Sequence, residues 1–466
     1  MPTIVRKGEW SRTRVTLLER LTGIGIGFGA VCWFVLWAGI NTGPWNLDFD
    51  YIASGWTGAF NGLRAAFPLL MLAVWLFYRV LNQRARRRNL TLPEGLWLWY
   101  GAICLLSSVY ADPWFEIGYW GLAYLGAFAA LDVYMREGTA LHRAGELNRL
   151  TWLLCSAVLA VVVFVARGQL LAETSAGLSG YAVVNRMPSV AGMAMVRSSG
   201  LSRMAAVPAI IAFVALWETR GYWRLAWAAV FVPCFYLVWA MQSRGSLFSL
   251  AFALALVMIL LKGRARVAGW SILAVMALVL VSGFIPNDTL HSIYMYATRG
   301  TQGEELASMS GRTRIFHEAW KKILESPLIG YGPQADRQFP MEIGNAQNGP
   351  LYALLCGGFI GAVGYVGGLT VSWLMLIRAL WWRSRLNASE RMMLLWVAGI
   401  MTFFTFRSYP ENCAALYSVD LLIQLPAVVY IGELNRALKR AKSVRRVRVA
   451  MAHSLPAELP RVSAAY

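Results

Sequence analysis

The sequence predicts an all-α integral membrane protein with about twelve transmembrane helices. Of its 466 residues, 58% are hydrophobic and only 14% are charged, and apolar runs recur along most of the length. A transmembrane helix needs about 20 predominantly apolar residues, so repeated runs of this kind are typical of a polytopic membrane protein and exclude a soluble enzyme. No separable soluble domain is expected.

The predicted spans are apolar segments bounded by polar or basic loops. The first of them is too long for the core of a signal peptide and lacks a small-residue cleavage site, so it is expected to remain as a membrane anchor. The twelve spans are residues 17–40, 66–82, 95–110, 115–134, 150–166, 204–218, 225–241, 246–261, 268–285, 349–377, 392–406 and 414–434.

These spans divide the chain into four parts. Residues 1–285 hold nine spans and an external loop at 167–203. Residues 286–348 form a second, larger external loop, and residues 349–434 hold three more spans. Residues 435–466 form a basic cytoplasmic tail.

The distribution of positive charge predicts the orientation. With both termini in the cytoplasm, 30 of the 43 Lys and Arg residues fall in cytoplasmic segments, in agreement with the positive-inside rule. The net charge of +19 and the pI near 10.0 then reflect topology and contact with anionic membrane lipids. Nucleic acid is not an expected partner.

The positive residues left on the external side predict an anionic ligand. Eleven of these thirteen residues are Arg, whose guanidinium binds phosphate or carboxylate through two parallel hydrogen bonds. Only the loops 167–203 and 286–348 are long enough to hold a site. We therefore expect the functional site between these two loops.

Arg244 stands where one span leaves the membrane and the next enters it, in the sequence MQSRGSLF. A charge at this depth requires a partner or water. Arg244 could reach back to the interface or cap a turn. Alternatively it could hold an anion at the outer leaflet, because Gly245 and Ser246 permit close approach of the backbone.

Residues 312–326 show apolar side chains at spacings of three and four, which predicts an amphipathic helix ended by Ser326 and Pro327. Its charged face could simply be solvated. Arg312 and Arg314 at its start are the candidates for ligand binding.

Glycines recur in the span 349–377, from Gly357 to Gly368. They allow close helix packing or a bend near the site. Asp420 lies inside a late span, where it is expected either to pair with an Arg or to line a substrate route. The six cysteines form no C-x-x-C and the histidines lack ligand spacing, so no metal is expected.

An ordered set of motifs resembles the bacterial O-antigen ligase and polymerase superfamily. It consists of SRG at 243–245, the segment from Arg314 to Trp320, PLIGYG at 327–332, and the pair Gln347-Asn348 followed after nine residues by G-x-x-G. The resemblance covers about residues 190 to 430. Each motif is weak alone, and their order makes the set specific.

The resemblance implies a metal-independent glycosyltransferase of the GT-C type without a cofactor, in the bacterial inner membrane. Its donor would be a glycan on undecaprenyl diphosphate, and its acceptor a glycan or lipid-linked hydroxyl on the periplasmic side. The family's R-x-x-x-L element matches Arg197 and Leu201. The expected ligands of the diphosphate are Arg197, Arg244, Arg312 and Arg314, and the expected catalytic residues are Gln347, Asn348 and His317.

One departure concerns the proton acceptor. Ligases of the family carry His-Asn or a similar pair where this chain has Gln347-Asn348, and an amide cannot accept a proton near neutral pH. This favours an O-antigen or exopolysaccharide polymerase over a ligase that transfers to lipid A core. The remaining candidates for a general base are His291, His317, Asp336, Glu342 and Glu411.

Two other classes compete with this prediction. A polysaccharide or lipid transporter would fit the number of spans, but the two halves lack matching interrupted spans. A cell-wall glycan polymerase would use the same lipid diphosphate, but its order of motifs fits less well.

Overall fold

The computed structural model describes most of the chain. The described residues are 27–39, 55–81, 88–136, 138–175, 198–241, 243–261, 264–282, 312–343 and 346–454. Within these ranges the regular structure is helical and contains no strand. The predicted loops 167–203 and 286–348 lie partly outside the described residues.

Thirteen helices of 12 or more residues make up most of the described part of the fold. Two short 3₁₀ turns and a single helical turn, Ala335–Gln338, connect some of them. The helices are α1 (Phe28–Gly39), α2 (Gly55–Leu81), α3 (Leu92–Ser107), α4 (Trp114–Tyr134), α5 (Ala140–Ser175), α6 (Ser198–Glu218), α7 (Trp223–Ala240), α8 (Arg244–Leu260), α9 (Arg264–Ser282), α10 (Arg312–Glu325), α11 (Gly349–Trp381), α12 (Ala388–Arg407) and α13 (Val419–Ser454).

Each of the twelve predicted spans overlaps one of these helices, and α10 is the predicted amphipathic helix. By length and composition, five described helices could cross a membrane: they are Ala140–Phe164, Ser199–Glu218, Trp223–Ala240, Gly349–Trp381 and Val419–Ala441. The α7 helix is apolar and mostly exposed, as expected of a helix in contact with lipid. The chain is thus a multi-pass membrane protein, and the number of twelve spans stays a prediction.

The helices pack in pairs around one apolar core. The α11 helix lies along α3, α8 lies between α9 and α12, and α13 packs on α5. Gly364 and Gly368 make the α3–α11 contact possible, since a Cβ at Gly364 would lie 2.6 Å from the carbonyl oxygen of Leu96 and one at Gly368 would lie 2.4 Å from Trp97. The glycine-rich span therefore packs closely, as the sequence indicated.

The same span is also broken at Gly358, whose φ of 59° and ψ of −165° are not helical. The backbone groups freed by the break are satisfied by the PLIGYG segment, residues 327–332. The N–H groups of Phe359 and Ile360 donate to Pro327 and Leu328, at 2.7 and 3.2 Å, and the carbonyl oxygens of Leu355 and Cys356 accept from Tyr331 and Gly332, at 3.0 and 2.8 Å. Backbone N–H and carbonyl groups without hydrogen-bond partners are strongly unfavourable inside a membrane, so a broken helix needs such partners.

This backbone pairing explains two of the motifs. Gly330 and Gly358 both have positive φ, and a Cβ at Gly358 would lie 2.3 Å from the backbone of Leu328. Only glycine satisfies both the conformation and the spacing. The PLIGYG and G-x-x-G motifs thus form one joint, which fixes the loop after α10 to the N-terminal half of α11.

Candidate functional site

The start of α11 is the centre of the site. Asn348 caps this helix, and its Oδ1 accepts from the N–H of Leu351 at 2.9 Å. Its Nδ2 donates to the carbonyl oxygen of Tyr409 at 3.1 Å, and its N–H donates to Asn412 at 3.2 Å. Asn348 therefore joins the start of α11 to the α12–α13 loop, residues 408–418.

Gln347 contacts one of the predicted arginines directly. The Nε of Arg312, the first residue of α10, donates to Oε1 of Gln347 at 2.8 Å. Oε1 accepts this bond, and the amide N–H groups of Gln347 are donors that an oxygen of a bound ligand can accept from. The structure thus joins an arginine of the amphipathic helix to the first residue of the Gln347-Asn348 pair.

The SRG motif reaches the same region from α8. Ser243 donates to Ser246 at 3.1 Å, and Arg407 at the end of α12 donates to Ser246 at 3.4 Å. A Cβ at Gly245 would lie 3.0 Å from the ring of Pro410. The half-buried Arg244 therefore stands where α8 meets the α12–α13 loop, which is also bonded to Asn348.

A buried ion cluster lies behind this contact. Oδ2 of Asp420 accepts from Arg407 at 2.9 Å and from Arg203 at 3.2 Å, and Glu411 lies 3.7 Å from Arg407. Arg407 is 1% exposed and Asp420 is 3% exposed. Asp420 is therefore paired with arginines, which is one of the two roles predicted for it, and the cluster joins the end of α12 to α6 and to the start of α13.

Sequence reasoning did not single out this cluster. Arg203 and Arg407 were counted among the external arginines without a specific role. Two signals could have identified the pairing: Asp420 is an acid in an apolar span, and Arg203 and Arg407 each lie at an end of an apolar span. A buried charge requires a partner of opposite sign.

The other predicted residues are not seen to join Gln347 and Asn348 in the described part of the chain. Arg197 lies outside the described residues. Arg314 is exposed and, two residues after Arg312 on a helix with 3.6 residues per turn, projects about 200° around the axis. His317 is exposed, and no hydrogen bond connects it to Gln347 within the described part of the chain. Of the predicted residues, the start of α11 thus gathers Gln347, Asn348 and Arg312, with Arg244 on the adjoining α8.

A fourth polar group, the carboxyl of Asp336, is bonded to the residue that precedes Gln347. Asp336 is 4% exposed, and its Oδ2 accepts from the N–H of Ala346 at 3.2 Å. Burial raises the pKa of this carboxyl to about 6, although the Ala346 N–H and the charge of Arg337 oppose the shift. A raised carboxyl pKa of this kind is typical of functional sites.

Among the described residues, no group of three or more His, Cys, Asp or Glu side chains could hold a metal ion. The six cysteines have free thiols, and five of them are buried. These thiols lie in the apolar core or pack against it. The described site offers guanidinium, amide and carboxyl groups, which suit the binding of an anion and the transfer of a proton.

Comparison with known families agrees with the motifs. The family model described as O-antigen ligase matches residues 229–366, which include the SRG motif, α10, the 327–332 segment and Gln347-Asn348. The match confirms the resemblance of this segment to the O-antigen ligase and polymerase superfamily, and it indicates a ligase or polymerase role in glycan assembly. No curated protein and no solved structure was found to match the chain.

Proposed function

We propose that this protein is an inner-membrane glycosyltransferase that polymerises a glycan carried on undecaprenyl diphosphate at the periplasmic face. One observation carries the proposal. The arginine at the start of α10 bonds to Gln347, the next residue Asn348 bonds the α12–α13 loop, and Gly245, beside Arg244, packs on the same loop, so two arginines lie near one polar rim. Such a rim suits a lipid-linked diphosphate whose glycan extends outward.

The proposed reaction is a displacement at the anomeric carbon of the donor. The acceptor hydroxyl oxygen attacks this carbon, and the bond to the diphosphate oxygen breaks with its electron pair remaining on the diphosphate. Arg244 and Arg312 stabilise the charge that develops on the leaving group, because preorganised donors are most effective where charge appears in the transition state. No metal or cofactor takes part.

Gln347 and Asn348 have different roles in this proposal. The amide N–H groups of Gln347 orient the acceptor hydroxyl or a donor oxygen, while Oε1 stays bonded to Arg312. Both polar groups of the Asn348 side chain are engaged in the cap of α11 and the contact to Tyr409. Asn348 is therefore a positioning residue, since it fixes the backbone on which Gln347 sits.

Polymerase and ligase differ in the acceptor. Gln347 cannot serve as the histidine base that ligases carry in this position, so we favour a polymerase that extends a lipid-linked or exopolysaccharide chain. A ligase that transfers the glycan to lipid A core is the second candidate. A transporter is less favoured, because the polar groups of the described site gather at helix ends and not at mid-membrane depth.

Substitutions of Gln347 test its orienting role. Gln347→Ala should lower the rate on the order of tenfold, the effect of losing about one hydrogen bond. Gln347→His should be tolerated, because an imidazole nitrogen can still accept from Arg312. The measurement is the chain-length profile of the surface glycan in a deletion strain that carries each variant at equal protein level.

The comparison variant is Arg312→Ala, which should shorten the chains much more than Gln347→Ala. If Gln347→Ala abolishes the product as fully as Arg312→Ala, then the amide is central to the reaction and its orienting role is wrong.

A further inference from the structure

The proposed transfer leaves one proton without an acceptor among the residues that the family would use. The acceptor hydroxyl must lose its proton when its oxygen bonds to the anomeric carbon, and Gln347 cannot take it. The need for another proton acceptor rests on the proposed function. Among the described candidates, Glu342 is exposed and lies 3.5 Å from Lys322, and Glu411 lies 3.7 Å from Arg407.

Asp336 differs from these acids because its carboxyl is hydrogen-bonded to the residue that precedes Gln347. Its Oδ2 bonds the N–H of Ala346, and Gln347 is the next residue along the chain. Adjacent Cα atoms lie about 3.8 Å apart, so the carboxyl is within reach of the space around the Gln347 main chain. The aspartate is thus attached to the segment that would orient the acceptor hydroxyl.

The turn that carries Asp336 is hydrogen-bonded to α11. Gln334 adopts a left-handed conformation with φ of 59°, and its N–H donates to the hydroxyl of Tyr352 at 2.9 Å. Gln338 closes the same turn, because its Nε2 donates to the carbonyl oxygen of Tyr331 at 2.8 Å. The carboxyl is therefore held on a rigid support, as a catalytic group requires.

One oxygen of this carboxyl is unpaired. Oδ1 of Asp336 is buried and has no hydrogen-bond partner among the described residues. A buried polar atom without a partner is unfavourable and calls for an explanation. The groups that face the carboxyl are Tyr352 and Cys356 from α11, which are uncharged at neutral pH, and Arg337 from its own turn.

We propose that Asp336 is the general base of the transfer and that Oδ1 receives the proton of the acceptor hydroxyl, either directly or through one water molecule. The hydroxyl oxygen forms the new bond to the anomeric carbon while the bond to the diphosphate breaks. The proton moves to Oδ1, and the electron pair of the broken bond leaves with the diphosphate. The protonated carboxyl later returns its proton to solvent, so no other reactant is needed.

The pH dependence follows from the raised pKa of Asp336, about 6. Below this pH the carboxyl is protonated and cannot accept a proton, so kcat/KM should fall as the pH is lowered from 7 to 5. The acidic fall should therefore remain in His317→Gln and disappear in Asp336→Asn.

The test uses the full-length protein in lipid nanodiscs with the undecaprenyl-diphosphate glycan fraction extracted from host cells, and it follows the release of undecaprenyl diphosphate. Asp336→Asn keeps a side-chain oxygen that accepts from Ala346 but removes the base, so its rate should fall about 10²- to 10⁴-fold. The melting temperature should stay within a few degrees. Asp336→Glu should recover part of the rate. The matched control is Glu325→Gln, an exposed acid at the end of α10, which should keep the wild-type rate.

Two results would overturn the role of Asp336. The first is an Asp336→Asn rate within a few-fold of wild type with the acidic fall retained. The second needs no variant: a wild-type rate that is flat from pH 5 to 8. If the wild-type protein releases no undecaprenyl diphosphate at any pH, the proposed function itself fails, which distinguishes the two failures.

Discussion

Replacing Asp420 with alanine is expected to remove most of the folded protein. The single carboxylate oxygen Oδ2 holds both Arg407 and Arg203, at 2.9 and 3.2 Å, and the Arg407 side chain is only 2% exposed. Without Asp420, two guanidinium groups remain in the protein interior with their main counter-charge removed. Breaking a buried ion pair in this way costs about 3–5 kcal/mol, which is a large part of the 5–15 kcal/mol that stabilises a typical protein.

The matched control is Glu411→Ala. Glu411 also faces Arg407, but at 3.7 Å and with a side chain 32% exposed, so its loss should cost less than about 1 kcal/mol. Thermal unfolding of the purified variants in detergent, followed by tryptophan fluorescence, measures the difference. Equal melting temperatures for Asp420→Ala and Glu411→Ala would show that the cluster does not support the fold.

The second large effect is expected on activity, from Arg244→Lys. Lysine keeps the positive charge but loses the paired hydrogen bonds with which arginine holds a phosphate. If Arg244 stabilises the leaving diphosphate, the rate should fall about 10²- to 10³-fold, as when one preorganised donor is removed from a transition-state site. The fold should survive, because α8 retains Ser243 and Ser246 and the packing of Gly245 on Pro410.

Arg224→Lys provides the matched control for this variant. Arg224 lies at the start of α7 as Arg244 lies at the start of α8, but on the predicted cytoplasmic side, where its Nε bonds the carbonyl oxygen of Thr219 at 2.8 Å. It should keep full activity. Wild-type polymer length from Arg244→Lys at normal protein level would exclude the proposed role of Arg244 in diphosphate binding.

Much of the helical architecture could be predicted because it depends on local patterns. Apolar runs and basic loops located segments that overlap twelve helices, and the three-and-four spacing of 312–326 predicted α10, which ends at Glu325 before Ser326 and Pro327. The last helix begins at Val419 and not at residue 414, because residues 408–418 form the loop that bonds Asn348. The sequence pattern there is apolar enough to resemble a helix.

The site could be predicted only in part, because its contacts join distant segments. The bond between Arg312 and Gln347 spans 35 residues, and the pairing of Arg203 with Asp420 spans 217. Motif order indicated that Gln347 and Arg244 belong to one site, but not which face of α10 would reach it. The sequence offered Arg312 and Arg314 equally as ligands. In the structure Arg312 bonds Gln347, and Arg314 projects from another face of the helix.

The break at Gly358 shows a similar limit. Glycine spacing allowed both close packing and a bend, and the structure contains both, since Gly364 and Gly368 pack on α3 while Gly358 breaks the helix. The break depends on a partner, the 327–332 segment, that supplies the missing backbone hydrogen bonds. No pattern within the span itself could have indicated that partner.

The most direct test of the proposed function is a transfer reaction with purified protein in proteoliposomes that contain the undecaprenyl-diphosphate glycan fraction of the host. We predict that the wild-type protein releases undecaprenyl diphosphate in step with the appearance of glycans joined to one another, and that Arg312→Ala and Arg244→Lys release little. Movement of intact glycan lipid across the bilayer without release of undecaprenyl diphosphate would contradict the account and indicate a transporter.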